Sequence, residues 1–196
     1  MQKFLNILSW IISIAFHPIG MVAVTSYIRS ILPINDCIAT LLPIFLLYYV
    51  LPLILCGLIL LFHKWKKIFT ENQVRVYFLS ITVGVYSISS LNSAVDQLFL
   101  PYILASTVTI AVATIITFFW KISLHTVGIG GLLAVVIVWT RMMPQVVLPL
   151  IPIVVICAGL VGFARLQLQA HTQSQIYVGY LVGFFATLGG ILLLSM

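Results

Sequence analysis

An arginine, five residues, a histidine, three residues and a glutamine define the stretch with the most evident chemistry. Arg165, His171 and Gln175 stand in the run Ala164 to Gln175, A-R-L-Q-L-Q-A-H-T-Q-S-Q, the longest polar run between two strongly apolar segments. A guanidinium fork, an imidazole and a helix N-terminus are the parts that phosphate chemistry uses: bidentate donors, a nucleophile or proton carrier, and a positive dipole end. On an unbroken helix, six residues would set Arg165 and His171 about 120° apart around the axis. They converge only if one helix ends between them. A new helix starting near Thr172 or Ser174, both N-cap types, puts His171 and Gln175 on one face. Read alone, the same stretch also fits a plain polar loop at a membrane surface.

A second set of useful groups lies in Trp120 to Gly131, W-K-I-S-L-H-T-V-G-I-G-G. Ser123 or Thr126 can cap the helix that follows, leaving its first N–H groups open to an anion beside Lys121 and His125. Gly128, Gly130 and Gly131 permit close helix approach, and helix packing alone would account for them. They do not form a Walker loop, which needs a different spacing and a following Lys-Ser/Thr. Arg75 begins another apolar run, where it either snorkels to headgroups or points into a polar pocket between helices.

The elements that must hold these residues are membrane helices. In 196 residues, 63% are apolar and 6% charged, whereas charge supplies about a quarter of an ordinary soluble domain. Apolar runs of roughly spanning length cover Phe4 to Ile28, Thr40 to Phe62, Val76 to Asn92, Leu98 to Phe119, Val127 to Met142, Gln145 to Phe163 and Ile176 to Ser195. The expectation is an all-α polytopic bundle of six or seven spans, a single domain over residues 1–196. The first run is interrupted by His17-Pro18, where proline removes a donor and bends or ends the helix. His17 there reads as a structural histidine bonded to a freed carbonyl, or as a functional one. The cluster His63-Lys64-Trp65-Lys66-Lys67 reads as an interfacial anchor.

If all seven runs cross, the loops carrying Arg75, the Ser123 and His125 pair, and the Arg165 and His171 pair share one side with the N-terminus. That side would hold Lys3, Lys64, Lys66, Lys67, Arg75, Lys121 and Arg165, against Arg29 and Arg141 on the other. By this count alone it would face the cytoplasm. Cys37, Cys56 and Cys157 have no paired spacing, and Asp36, Glu71 and Asp96 are scattered, so neither a zinc nor a carboxylate metal site is expected. The chemistry rests on His, Arg and Lys.

Together these stretches resemble the type 2 phosphatidic acid phosphatase superfamily, with an atypical branch from Bacteroidetes-type bacteria similar over nearly the whole length. Arg165, five residues, then His171 matches the spacing of that family's S-R-x5-H-x3-D motif, with Gln175 in the aspartate position. Ile122-Ser123-Leu124-His125 matches P-S-G-H, with leucine for glycine. Of K-x6-R-P only Arg75 is matched, and Val76 replaces the proline. The resemblance implies a PAP2-like fold and lipid phosphate hydrolysis through a phosphohistidine. His171 would be the nucleophile, His125 the acid for the leaving alcohol, and Gln175 the orienting group. Arg165, Arg75, Ser123 and Lys121 would form the phosphate cradle. No cofactor, metal or nucleic acid is expected; the partners are the lipid phosphate and membrane lipids. The implied location is a bacterial inner membrane with the active side periplasmic. Gln175 brings no charge, a loss on the order of 10⁴ in rate by analogy with a serine-histidine-aspartate triad. Glu71, the one acid on that face, is an alternative source of charge. A non-catalytic protein of the same fold, binding a lipid phosphate or a partner, is the competing expectation.

Overall fold

The computed structural model describes residues 1–18, 24–25, 50–51, 54–55, 57–58, 61, 71–90 and 100–194, without the side chains of residues 71–72 and 88–90. The expected span Thr40 to Phe62 is largely outside these residues. The His63 to Lys67 anchor, Cys37, Cys56, and the side chains of Asp36, Glu71 and Asp96 lie wholly outside them.

No strand occurs among the described residues. The helices are α1 (Gln2–Ala15), α2 (Glu71–Ser90), α3 (Leu100–Phe119), α4 (Leu124–Trp139), the single turn α5 (Pro144–Val147), α6 (Leu150–Gln167) and α7 (Gln173–Leu194). Three segments are long and apolar enough to cross a membrane: Leu100–Phe119, Pro144–Gln167 and Gln173–Leu194. The chain is thus a membrane protein, all-helical among the described residues. α2 begins at Glu71 rather than at Val76, so Arg75 sits on the helix and not in a loop before it.

The first apolar run is interrupted where His17-Pro18 predicts it, and its part beyond Pro18 lies largely outside the described residues. α1 has 14 residues and stops at Ala15, with a turn at Phe16 before His17-Pro18. At 1.5 Å per residue it is about 21 Å long, short of the hydrocarbon core. Its pattern is inside out by soluble standards: Phe4, Ile7, Ile11 and Ile14 are exposed, while Ser9 and Ser13 are buried against the protein. An apolar outer stripe with an inward polar one suits the boundary between headgroups and acyl chains.

α7 is the central post. It packs on α4 and α3, while α2 leans on α3 and α1 on α6. Along α7, Gly179, Gly183, Thr187 and Gly190 are buried at spacings of three and four, one face of a helix. A Cβ on Gly183 would strike the Val127 carbonyl, one on Gly179 would strike Thr126 Oγ1, and one on Gly130 would lie 2.6 Å from the Tyr180 carbonyl oxygen. The α4–α7 contact is therefore backbone against backbone. Of the three glycines expected to allow it, Gly130 and Gly131 lie in the contact, while Gly128 lines a cavity on another side. Thr109 Oγ1 and Thr187 Oγ1 meet at 2.8 Å between α3 and α7. Since Thr109 donates to the Ala105 carbonyl, Thr187 is the donor of the pair.

Gly183→Ala should destabilise the protein by about 1 to 3 kcal/mol, as overpacking against an immovable carbonyl does. Gly189→Ala, where a Cβ meets nothing within 4 Å, should be neutral or stabilising. Thermal unfolding in detergent, followed by tryptophan fluorescence, compares the two; equal midpoints would remove the backbone contact as the governing constraint.

Candidate functional site

α6 carries Arg165 in its last turn, and the required break follows at once. The Leu168 N–H reaches the Ala164 carbonyl at 3.1 Å, the Gln169 N–H the Leu166 carbonyl at 2.9 Å, and the Ala170 N–H the Arg165 carbonyl at 3.1 Å. Gln169 takes the left-handed conformation, φ 51°, that turns the chain out of the helix. α7 then starts with a capping box. The Gln175 N–H donates to Thr172 Oγ1 at 3.4 Å, and the Thr172 N–H donates to Gln175 Oε1 at 3.2 Å.

The capping box fixes a proton on His171. A backbone N–H only donates, so the amide atom of Gln175 facing Thr172 is oxygen. That oxygen also lies 3.0 Å from His171 Nδ1. Two acceptors do not bond, so Nδ1 carries hydrogen, and in the neutral ring Nε2 keeps its lone pair. Gln175 thus holds the His171 ring through an uncharged oxygen.

Across the gap, Ser123 is the N-cap residue of α4, and its N–H donates to the Gln175 carbonyl at 3.3 Å. This joins the two loops directly and removes the Ser123 N–H from the expected phosphate cradle. The N–H groups of the first turn of α4 have no intrahelical acceptor and remain the available donors. Thr126 donates its hydroxyl back to the Ser123 carbonyl at 2.9 Å and does not cap from in front. Arg75 donates from Nη2 to the Ile122 carbonyl at 2.8 Å, anchoring α2 to the same loop. Lys121 is exposed at the rim.

The end of α1 completes the cluster, and here the sequence reading missed one residue, Ser13. The Ser13 hydroxyl accepts from Arg165 Nη1 at 3.2 Å, and the Ser13 carbonyl lies 3.1 Å from His125 Nε2. A carbonyl only accepts, so His125 carries its proton on Nε2. His17 stands edge-on to His125 with ring centroids 5.6 Å apart. The His17-Pro18 break was visible as a break, but the contacts bridge 112 and 152 residues, and no spacing rule reaches that far. Gln167 Nε2 donates to Asn6 Oδ1 at 3.0 Å and holds the upstream part of α1 in place.

The structure therefore brings Arg75, Ser123, His125, Arg165, His171 and Gln175 to one end of the bundle, with Lys121 at the margin. His171 is within electrostatic reach of Arg165, Arg75 and Lys121, and His125 within reach of Arg165, His17 and His171. Burial, with the three cations adding to it, pushes the His171 ring down to about 4, although its bond to Gln175 acts in the other direction. At neutral pH it is an uncharged base. Two buried polar atoms here have no protein partner among the described residues: Ser123 Oγ, on a residue with 0% exposure, and Arg165 Nε. Unsatisfied donors beside cationic groups are suited to the oxygens of an anion. No group of three or more His, Cys, Asp or Glu side chains among the described residues is arranged to hold a metal ion. No family model, curated protein or solved structure matches this chain.

The His171 imidazole should titrate near pH 4 in an NMR experiment on detergent-solubilised protein. Arg75→Gln removes a charge that opposes protonation, so the midpoint should move up. Between about pH 6.5 and 4 the unfolded chain binds a proton on this ring that the folded chain does not. Stability should accordingly fall on acidification through that window and be indifferent to this group above it. A His171 midpoint at 6.5, unmoved by Arg75→Gln, would show that the ring is neither buried nor beside the cations.

Proposed function

We propose that this chain is an integral membrane lipid phosphatase, related in mechanism and in fold to the type 2 phosphatidic acid phosphatases. Its bundle would have six or seven spans, including segments beyond the described helices. The observation that carries the reading is the tautomer of His171: a proton fixed on Nδ1 and a lone pair on Nε2, among Arg75, Lys121 and Arg165. A protein that only binds anions gains nothing from an imidazole held in its nucleophilic form.

In this reading the phosphate sits against Arg165 Nε, the Ser123 hydroxyl and the first N–H groups of α4. His171 Nε2 attacks phosphorus as the ester P–O bond breaks, giving a phosphohistidine and an alkoxide. The alkoxide takes the Nε2 proton of His125, whose bond to the Ser13 carbonyl is exchanged for the leaving oxygen as substrate binds. Loss of that proton from a neutral ring would leave an anion, so the acid that reacts is the imidazolium, formed when the incoming phosphate monoanion gives its proton to His125 and binds as the dianion whose charge holds the cation. Water then attacks the phosphohistidine, giving a proton to His125 and releasing phosphate. Guanidinium and N–H donors stabilise the equatorial oxygens throughout.

A second reading is favoured by one feature. Gln175 cannot stabilise the positive ring that attack creates, and the corresponding loss in a serine-histidine-aspartate triad is on the order of 10⁴. On this reading the protein is a non-catalytic member of the same fold that binds a lipid phosphate or a partner.

Phosphate release from a panel of lipid phosphates by purified protein separates the two. The enzyme should be inhibited by vanadate, survive chelator and lose turnover in His171→Ala. Gln175→Glu keeps the length needed for both the Thr172 and His171 bonds and adds the charge, so kcat should rise by one or more orders of magnitude with KM little changed. Binding without turnover in both wild type and Gln175→Glu, weakened by Arg165→Ala, is the signature of the second reading. The site is proposed to face the periplasm of a bacterial inner membrane, on resemblance. Gln173→Cys, at an exposed position, should then react with a membrane-impermeant maleimide on intact cells, and protection until lysis would reverse the orientation.

A further inference from the structure

Below the polar cluster lies a cavity of about 750 Å³ of empty space, part of it open to the outside, walled by α2, α3, α4 and α7. Its position follows from the packing: α4 is drawn backbone to backbone onto α7 and touches α3 little, so a slot is left between α4 and the α2–α3 pair. One end is bounded by Pro18 and Leu124, the sequence neighbours of His17, Ser123 and His125. The other end reaches Val135 on α4 and Ser106 on α3. From Leu124 to Val135 is eleven residues, about 16 Å along a helix. Half of a hydrocarbon core is about 15 Å. The slot thus runs from the depth of the site to about the middle of a bilayer. Its lining is mainly apolar, with the small side chains of Thr82, Ser106 and Thr109 leaving space. Those hydroxyls turn back to their own helices, onto the carbonyls of Phe78, Tyr102 and Ala105. They offer a chain no unsatisfied donor.

We infer that this slot takes one hydrocarbon chain of the substrate, so that the ligand of the site is a phosphate at the end of a single prenyl or acyl chain lying inside the bundle. The inference rests on the lipid phosphatase reading for the position of the phosphate. Because the alternative surroundings of the chain are lipid, burial in the slot yields little hydrophobic gain. Its effect is positional: a chain held along α4 sets the phosphorus against His171, and small misplacements at a reacting centre cost large factors in rate.

Two probes carry a diazirine at the far end of the chain, farnesyl phosphate and oleoyl lysophosphatidate, and are photolysed with wild-type protein in nanodiscs. Label on Ser106, Thr109 or Val135 supports the inference, and the more efficient probe identifies the chain as prenyl or acyl. Label confined to Ile115 and Phe118, which face outward on α3, or no label at all, overturns it. In parallel, Thr82→Phe and Ser106→Leu fill the slot midway and at its deep end. Each should lower kcat/KM for the undecorated long-chain phosphates by about tenfold while leaving p-nitrophenyl phosphate unchanged. Equal loss on both substrate types in both variants counts against a chain site. If no lipid phosphate is hydrolysed by wild type, the phosphatase reading fails, and the photolabelling still decides whether the slot holds a chain.

Discussion

Contact between the backbones of α4 and α7 is the constraint from which the site geometry follows. Within a bilayer, apolar side chains gain little by leaving lipid for one another, so helices associate where small residues let main chains meet. Gly179, Gly183 and Gly130 supply that freedom, and the near ends of the two helices then have no choice but to touch. The Ser123 N–H meets the Gln175 carbonyl, and the two loops that carry His125 and His171 become one structure. Arg75 ties α2 to the same loop through the Ile122 carbonyl, and Ser13 ties α1 to Arg165 and His125. Five helix ends, those of α1, α2, α4, α6 and α7, are thereby joined around one point by four polar contacts.

Gln175 has three tasks there. Its carbonyl accepts from Ser123, and its amide oxygen accepts from both Thr172 and His171. A carboxylate in this place would make the same bonds and would interact favourably with the N-terminus of α7. The fold therefore does not demand an amide. What the amide changes is the chemistry: it orients the ring without lowering the energy of its cation. Glutamine and an acid at this position would share one architecture, which is why the two functional readings share one structure.

Much of the site could be read from local spacing. The helix break between Arg165 and His171 was required by the 3.6-residue period, and Thr172 and Ser123 were recognisable as caps. The spans came from apolar run length, and three of them meet the criteria for crossing. Illegible was Ser13, because its partners lie more than a hundred residues away and serine in an apolar helix gives no signal of its own. Apolar residues dominate Phe4 to Ile28, but mean hydropathy does not register which face they occupy. α1 turns Ser9, Ile12 and Ser13 inward and Ile7, Ile11 and Ile14 outward, which its periodicity records and its mean composition does not.

The slot and the cluster also constrain each other. A half-buried guanidinium at the end of an apolar helix, with Nε unsatisfied, is unfavourable in isolation and is relieved by an anion. A free phosphate from water would relieve it without involving the bundle interior. The cavity does not lie on the water side of the cluster, however; it starts at Pro18 and Leu124 and descends between α2, α3 and α4. An anion with a hydrocarbon tail fills both deficiencies at once, the unsatisfied donors above and the gap that the α4–α7 glycine contact leaves below. The packing that assembles the polar cluster and the packing that opens the slot are the same event, so a change that separates α4 from α7 must disturb both.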